Sequence, residues 1–123
     1  MAEFDLTVAP SFLLALELLV RKEPVSGLVG EVAIGIQRPG DTVWWWVRLG
    51  RRVESGFVWQ PPTGAQAMLL IGERDAEQIV AGGFPAAFAI FDVKGDRELM
   101  LRFLSRYGLS RTWLDLRQTN RGI

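Results

Sequence analysis

The chain has 123 residues, 14 basic and 14 acidic side chains, and no histidine or cysteine. A chain of this length can bury the core of one domain, so a single domain over 1–123 is expected, and its zero net charge gives no electrostatic support to nucleic acid binding. Without histidine and cysteine, thiol catalysis, disulfides, imidazole bases and most zinc ligands are excluded, and we expect no enzyme activity, cofactor or transition metal.

The first predicted element is a helix over 11–22. Pro10 suits its first turn, and Pro24 follows its basic end. The apolar run inside this helix contains Glu17 and is too short to span a membrane, and the N-terminal residues lack the pattern of a secretory signal. We therefore expect a soluble protein of the cytoplasm.

Three antiparallel strands are predicted next, because apolar residues alternate with small or polar ones over 32–37 and 53–60, with Trp44, Trp45 and Trp46 on the strand between them. Successive side chains of a strand point to opposite faces, so Trp45 lies on one face and Trp44 and Trp46 lie on the other. We expect Trp45 to face the helices. The flanking strands carry small residues that leave room for indoles lying across the sheet: Ala33, Gly35, Ser55 and Gly56.

Trp44 and Trp46 then need cover, since large indoles exposed together on a sheet form a sticky patch. One source of cover is the chain itself, through Phe4 and Leu6 near the N-terminus or Trp113 near the C-terminus. The other is a second subunit, because Trp and Arg are enriched at the centres of interfaces and Arg48 shares this face. We expect cover by the chain itself, with a homodimer through Trp44 and Trp46 as the alternative.

The second half of the chain begins with a short apolar strand predicted over 67–72 and a helix predicted over 75–82. Asp75 and Gln78 have the N-cap to N3 spacing of a capping box, and two glycines follow the helix.

A fifth strand is predicted over 89–94 and a further helix over 97–107, with Asp96 as its N-cap. The spacing of Leu109, Trp113 and Leu116 adds a short amphipathic helix at the C-terminus. This arrangement of strands and helices predicts an α+β fold.

The segment 67–103 resembles the C-terminal half of the sterol-carrier-protein-two family, the SCP2-like lipid-binding domains. Members run from a strand into an acidic helix, a glycine and a short apolar turn, and then through a strand ending in Gly-Asp or Gly-Asn to a helix rich in leucine and methionine. The matching positions are Asp75 and Glu77 in the acidic helix, Gly82 at its end, 84–88 in the turn, Gly95 and Asp96 after the strand, and 99–101 in the last helix.

The resemblance implies a five-stranded, largely antiparallel sheet with helices packed on one face and an apolar cavity between the layers. It also implies a non-catalytic lipid-binding or carrier module that holds a fatty acyl chain or similar apolar molecule and contacts membranes transiently. An acyl chain gains about 0.8 kcal/mol per buried methylene, so an apolar wall is sufficient for binding. The candidate lipid-binding residues are Trp45, Ile79, Phe84, Phe88, Leu99, Met100 and Phe103.

Two other functions remain open. Apolar residues at helical spacing usually form ordinary core, so the alternative is a non-catalytic interaction or dimerisation domain of the same fold whose cavity is filled by its own side chains. A lipid hydrolase or transferase would need paired carboxylates, for which Asp92, Asp96 and Glu98 are candidates. Because Asp96 suits a helix cap, Glu98 a first helical turn and Asp92 an outward strand position, we expect no catalytic residue and no metal ligand.

Overall fold

The computed structural model describes residues 6–22, 27–82, 93–104 and 106, and only the backbone of residues 78–82. The elements in chain order are a 3-10 turn at Leu6–Val8, helix α1 at Ser11–Lys22, strands β1 at Gly30–Arg38, β2 at Asp41–Leu49, β3 at Glu54–Val58 and β4 at Ala67–Gly72, helix α2 at Glu73–Gly82, strand β5 at Val93–Gly95, and helix α3 at Arg97–Phe103. No helix within these described ranges is both long enough and apolar enough to cross a bilayer.

The strands form one five-stranded sheet in the order β3-β2-β1-β4-β5. β1 pairs with β4 in parallel, whereas the β1–β2, β2–β3 and β4–β5 pairs are antiparallel. The turn between β1 and β2 is short and contains Gly40, whose φ of +91° favours glycine. Next to it, Asp41 binds the Arg38 guanidinium at 2.7 Å, and this hydrogen bond raises the pKa of Arg38. The predicted α+β fold with a largely antiparallel five-stranded sheet is confirmed.

One face of the sheet, here called the helix face, carries the core. α1 packs against α2, and α3 packs against β1, β4 and β5. Along β2 the odd positions, including Trp45, point to the helix face, and along β1 the even positions do so. The core side chains include Phe12, Leu13 and Leu16 of α1, Ile34 and Ile36 of β1, Leu69 and Ile71 of β4, and Met100 and Phe103 of α3.

Helix α1 has the predicted bounds, but α2 begins before its predicted start, and α3, predicted over 97–107, spans Arg97–Phe103. α2 begins at Glu73, two residues before the predicted start, so the capping-box prediction for Asp75 is wrong. The chain turns directly from β4 into the helix, and Glu73 and Asp75 both lie in its first turn, where negative charge suits the helix dipole. At α3 the predicted N-cap is confirmed, since Asp96 accepts the backbone N–H of Leu99 at 3.0 Å.

Of the predicted strand 89–94, the structure describes only Val93 and Lys94, and both lie in β5. Residues 89–92 and the predicted C-terminal helix around Trp113 lie outside the described residues.

Candidate functional site

The centre of the helix face is Trp45, which has no solvent-exposed surface. Its ring centroid lies 5.9 Å from that of Phe103, with the two rings tilted by 43°. Aromatic pairs at this separation add to the energy of simple burial. Trp45 therefore contacts α3 from the middle of the sheet, as the strand alternation predicted.

The indole N–H of Trp45 has a partner that the sequence pattern did not indicate. It donates to Glu17 Oε2 of α1 at 3.1 Å. The hydroxyl of Ser55 on β3 donates to the same carboxylate at 2.5 and 2.7 Å. Arg21, one helical turn after Glu17, completes the group by donating to Ser55 Oγ at 2.7 Å and to the carbonyl of Val53 at 2.8 Å.

These four side chains, Glu17, Arg21, Trp45 and Ser55, are here called the Glu17 cluster. It joins α1 to two strands through hydrogen bonds, and Arg21 balances the charge of Glu17 at 3.3 Å. A buried indole N–H needs such an acceptor, because an unsatisfied polar group in a core costs free energy. In the sequence Glu17 stood out as an acid within an apolar helix, and this was the available signal for its role.

Replacing Glu17 by leucine is expected to lower the free energy of unfolding by about 1–3 kcal/mol, because the buried Trp45 N–H loses its acceptor. Glu17→Gln keeps an oxygen acceptor and should cost less. Urea unfolding of both variants measures the difference, and the indole N–H proton signal of Trp45 reports the hydrogen bond directly. Equal losses in the two variants would contradict this explanation and point to the Arg21 ion pair instead.

The predicted lipid-binding residues divide into two groups. Trp45, Leu99, Met100 and Phe103 belong to one cluster on the helix face, and all four are buried. Ile79 lies on α2, but its side chain is outside what the structure describes, and so are Phe84 and Phe88 in full. The structure therefore brings together the strand residue and the three α3 residues of the predicted site.

The opposite side of the sheet, here called the back face, holds Trp44 and Trp46. Trp44 stacks on Gly35 of β1, where an added Cβ would lie 2.8–2.9 Å from three carbons of the indole. Trp46 lies over Gly56 of β3 in the same way, and each tryptophan is paired with its glycine across the ladder. The prediction that small residues make room for indoles across the sheet is confirmed at these two positions.

The connection between β3 and β4, residues 59–66, here called the crossover, lies beside these two indoles. β3 and β4 both run parallel to β1, on opposite sides of the β1–β2 pair, so the connection must pass over the sheet. Pro61 lines a groove with Trp44, and Pro61 and Pro62 line another with Trp46. Gly64 approaches Glu31 on β1, where an added Cβ would lie 3.1 Å from the carboxylate.

The crossover is thus a part of the chain beside both indoles that the sequence pattern did not indicate as a source of cover. Of the residues expected to cover Trp44 and Trp46, Phe4 and Trp113 lie outside the described ranges. Leu6 is described, and 55% of it is exposed.

Beside the crossover, Arg48 links the back face into a charged group. Its guanidinium binds Glu31 at 3.0 Å and Glu54 at 3.6 Å, and it lies 5.8 Å from the ring centre of Trp46. Arg48 and Glu31 edge a groove of about 820 Å³ between Trp46 and the crossover. Arg48 makes a cation–π contact with the Trp46 indole, and its guanidinium is at the same time paired with the carboxylates of Glu31 and Glu54.

The candidate acids of the enzyme hypothesis have structural partners where they are described. Asp96 caps α3, and Glu98 binds Arg102 one turn later at 2.8 Å. Asp92 lies outside the described residues. Within the described ranges, no three acidic side chains come together in a group that could hold a metal ion.

The fold of this chain is similar to that of a protein of known structure, although its sequence matches no known family. No protein-family model matches the chain, and no curated protein sequence matches it. The chain is similar to the crystal structure of sterol carrier protein 2-like 2 from Aedes aegypti, with a TM-score of 0.50 and 17% sequence identity, over 78% of this chain and 89% of that one. At this identity the likeness establishes the fold alone, and the SCP2-like fold expected from the segment 67–103 is confirmed.

Proposed function

We propose that the protein binds a fatty acyl chain or similar apolar molecule between its sheet and its helices and carries it without chemical change. The observation that carries this proposal is the apolar cluster of Trp45, Leu99, Met100 and Phe103 between β2 and α3, in a fold shared with a protein named as a sterol carrier. Ile79, Phe84 and Phe88 remain proposed members of the same wall.

The chemistry of this layer suits an acyl chain better than a polar ligand. The core side chains around Trp45 are apolar, and the polar atoms of the Glu17 cluster already bind one another. Each methylene that enters such a layer gains about 0.8 kcal/mol, so a long chain binds without any polar contact.

Binding requires that side chains move, because Met100 and Phe103 have no exposed surface. Met100 is suited to this movement, since its unbranched thioether has three rotatable bonds and refills irregular space easily. The proposal includes transient membrane contact during loading and a cytoplasmic location.

Native mass spectrometry of protein purified from its host provides the first test, since a co-purified acyl ligand adds a defined mass. The delipidated full chain, labelled with [13C]methyl-methionine, is then titrated with palmitate while the methyl signal of Met100 is followed. We expect a saturable shift of this signal, and we expect Trp45→Ala to weaken the affinity read there by about tenfold or more. Trp45→Phe serves as a milder variant in case the alanine variant is unstable.

Trp46→Ala is the matched control, because Trp46 lies on the back face and should not change palmitate affinity at Met100. A protein that purifies without ligand and shows no Met100 shift would refute the carrier function. That result would favour the alternative, an interaction or dimerisation domain whose interior is filled by its own side chains.

A further inference from the structure

The outward positions of β4 have an unusual composition. β4 is an interior strand between β1 and β5, and its inward residues Ala67, Leu69 and Ile71 are buried. Its outward residues are Met68 and Leu70, and 43% of Leu70 is exposed. A sheet face that meets water normally alternates to polar residues at these positions. The back face of β4 is therefore built to contact something apolar.

Met68 and Leu70 line a cleft of about 420 Å³, within the size range of small-molecule sites, and its other walls are Trp44, Pro61 and Lys94. Trp44 gives the cleft a rigid wall, because its indole is only 6% exposed and is seated on Gly35. Pro61 of the crossover also lines the cleft. Among the residues that the structure describes, four apolar ones thus line this space on the back face.

Lys94 is the charged residue of this cleft. It lies on β5 directly opposite Met68 in the ladder. Within the part of the chain that the structure describes, its ammonium forms no ion pair. The neighbouring groove shares Trp44, Pro61 and Leu70, but its cation Arg38 is already bound by Asp41 at 2.7 Å. An apolar cleft with one unpaired cation at its edge suits a ligand that has an apolar body and one negative charge.

We propose that this cleft is a second ligand site, which binds an amphipathic monocarboxylate such as a free fatty-acid anion. The apolar body lies against Trp44, Met68 and Leu70, and the carboxylate accepts hydrogen bonds from the Lys94 ammonium. This site goes beyond the carrier function, because it lies on the opposite side of the sheet from Met100 and Phe103.

The methionines separate the two sites in one experiment. The chain has three methionines, Met1, Met68 and Met100, of which Met68 lines the cleft and Met100 lies in the helix-face core. The full chain labelled with [13C]methyl-methionine is titrated with sodium laurate below its micelle-forming concentration. We expect a saturable shift of the Met68 signal, and we expect Lys94→Glu to weaken the affinity read at Met68 by about tenfold or more, with Lys94→Gln intermediate.

Lys22→Glu is the matched control, because it makes the same charge change at an exposed position on α1 and should leave the Met68 affinity unchanged. Methyl laurate, which lacks the charge, should bind at Met68 more weakly and equally in all variants. An unchanged laurate affinity in Lys94→Glu, or no shift of Met68, would overturn the proposal.

A Met68 shift that follows protein concentration without laurate, together with a dimer in sedimentation, would also overturn it and assign the cleft to a second copy of the chain. The two proposals fail separately. A shift at Met68 without one at Met100 refutes the carrier function alone, and the reverse result refutes the second site alone.

Discussion

Replacing Gly95 by alanine is expected to lower the free energy of unfolding by about 2–5 kcal/mol, since the left-handed backbone costs about 1–2 kcal/mol and overpacking adds about 1–3 kcal/mol. Gly95 has a φ of +86°, and a Cβ placed on it would overlap the carbonyl oxygen of Gln66. That oxygen accepts the backbone N–H of Asp96 at 2.7 Å, and the N–H of Gln66 donates to the Glu31 carbonyl at 2.8 Å. The Gln66 backbone therefore cannot retreat without loss of these hydrogen bonds.

Gly40→Ala is the matched control for the Gly95 variant. Gly40 has a similar φ of +91°, but an added Cβ there would meet nothing within 4 Å. This substitution should cost only the backbone strain, about 1–2 kcal/mol. Guanidinium unfolding of the two variants checks the difference, and equal losses would contradict the steric role of Gln66.

The Gly35→Ala variant is expected to lose about 2–3 kcal/mol, because the new methyl group would push against the ring of Trp44 in a packed environment. Trp44 is only 6% exposed, so its indole has little room to move away. Combining Gly35→Ala with Trp44→Leu removes the clash, and the double variant should lose less than the sum of the two single losses.

Gly56→Ala provides the comparison for the Gly35 variant. An added Cβ on Gly56 would lie 2.9 Å from Trp46 Nε1, so the local crowding is similar. β3 is an edge strand of the described sheet and Trp46 is only half-buried, which lets the indole swing outward. We expect the free energy of unfolding to fall by less than about 1 kcal/mol. An alanine that fits without strain lowers the conformational entropy of the unfolded chain, and this offsets part of the steric cost. A larger loss at Gly56 than at Gly35 would contradict the assignment of Trp44 as the fixed indole.

The strand of three tryptophans shows why local pattern was informative here. Side chains in a strand alternate between faces whatever the sheet order, so the neighbours of Trp45 in sequence were enough to place it opposite Trp44 and Trp46. The role of Gly35 and Gly56 was predictable in the same way, because small residues on strands next to bulky indoles leave room for the rings across the sheet. The burial of Leu99, Met100 and Phe103, which we propose as lipid-binding residues, was indicated by the helical spacing and by the family resemblance of their segment.

The Glu17 cluster and the crossover show where local pattern was not enough. Trp45 and Ser55 lie 28 and 38 positions after Glu17, so no short-range spacing in the sequence indicates that they bind it. The segment 59–66 was recognised only as a break between strands. Its position beside Trp44 and Trp46 depends on the pairing of β4 with β1. Other strand orders would keep the same alternation of side chains between the two faces, so the sequence pattern does not determine this pairing.

The sequence by itself determined the local structure of this protein: helix α1 with the bounds Ser11–Lys22, the alternation of β2, and the Asp96 cap. These features depend on residues a few positions apart, whose propensities and spacing are visible in a single chain. Only the tertiary structure decided that Glu17 binds Trp45, that Gln66 requires a glycine at position 95, and that Met68, Leu70 and Lys94 share a cleft. Each of these depends on which strands become neighbours, and that outcome is set by the packing of the whole sheet against its helices and crossover.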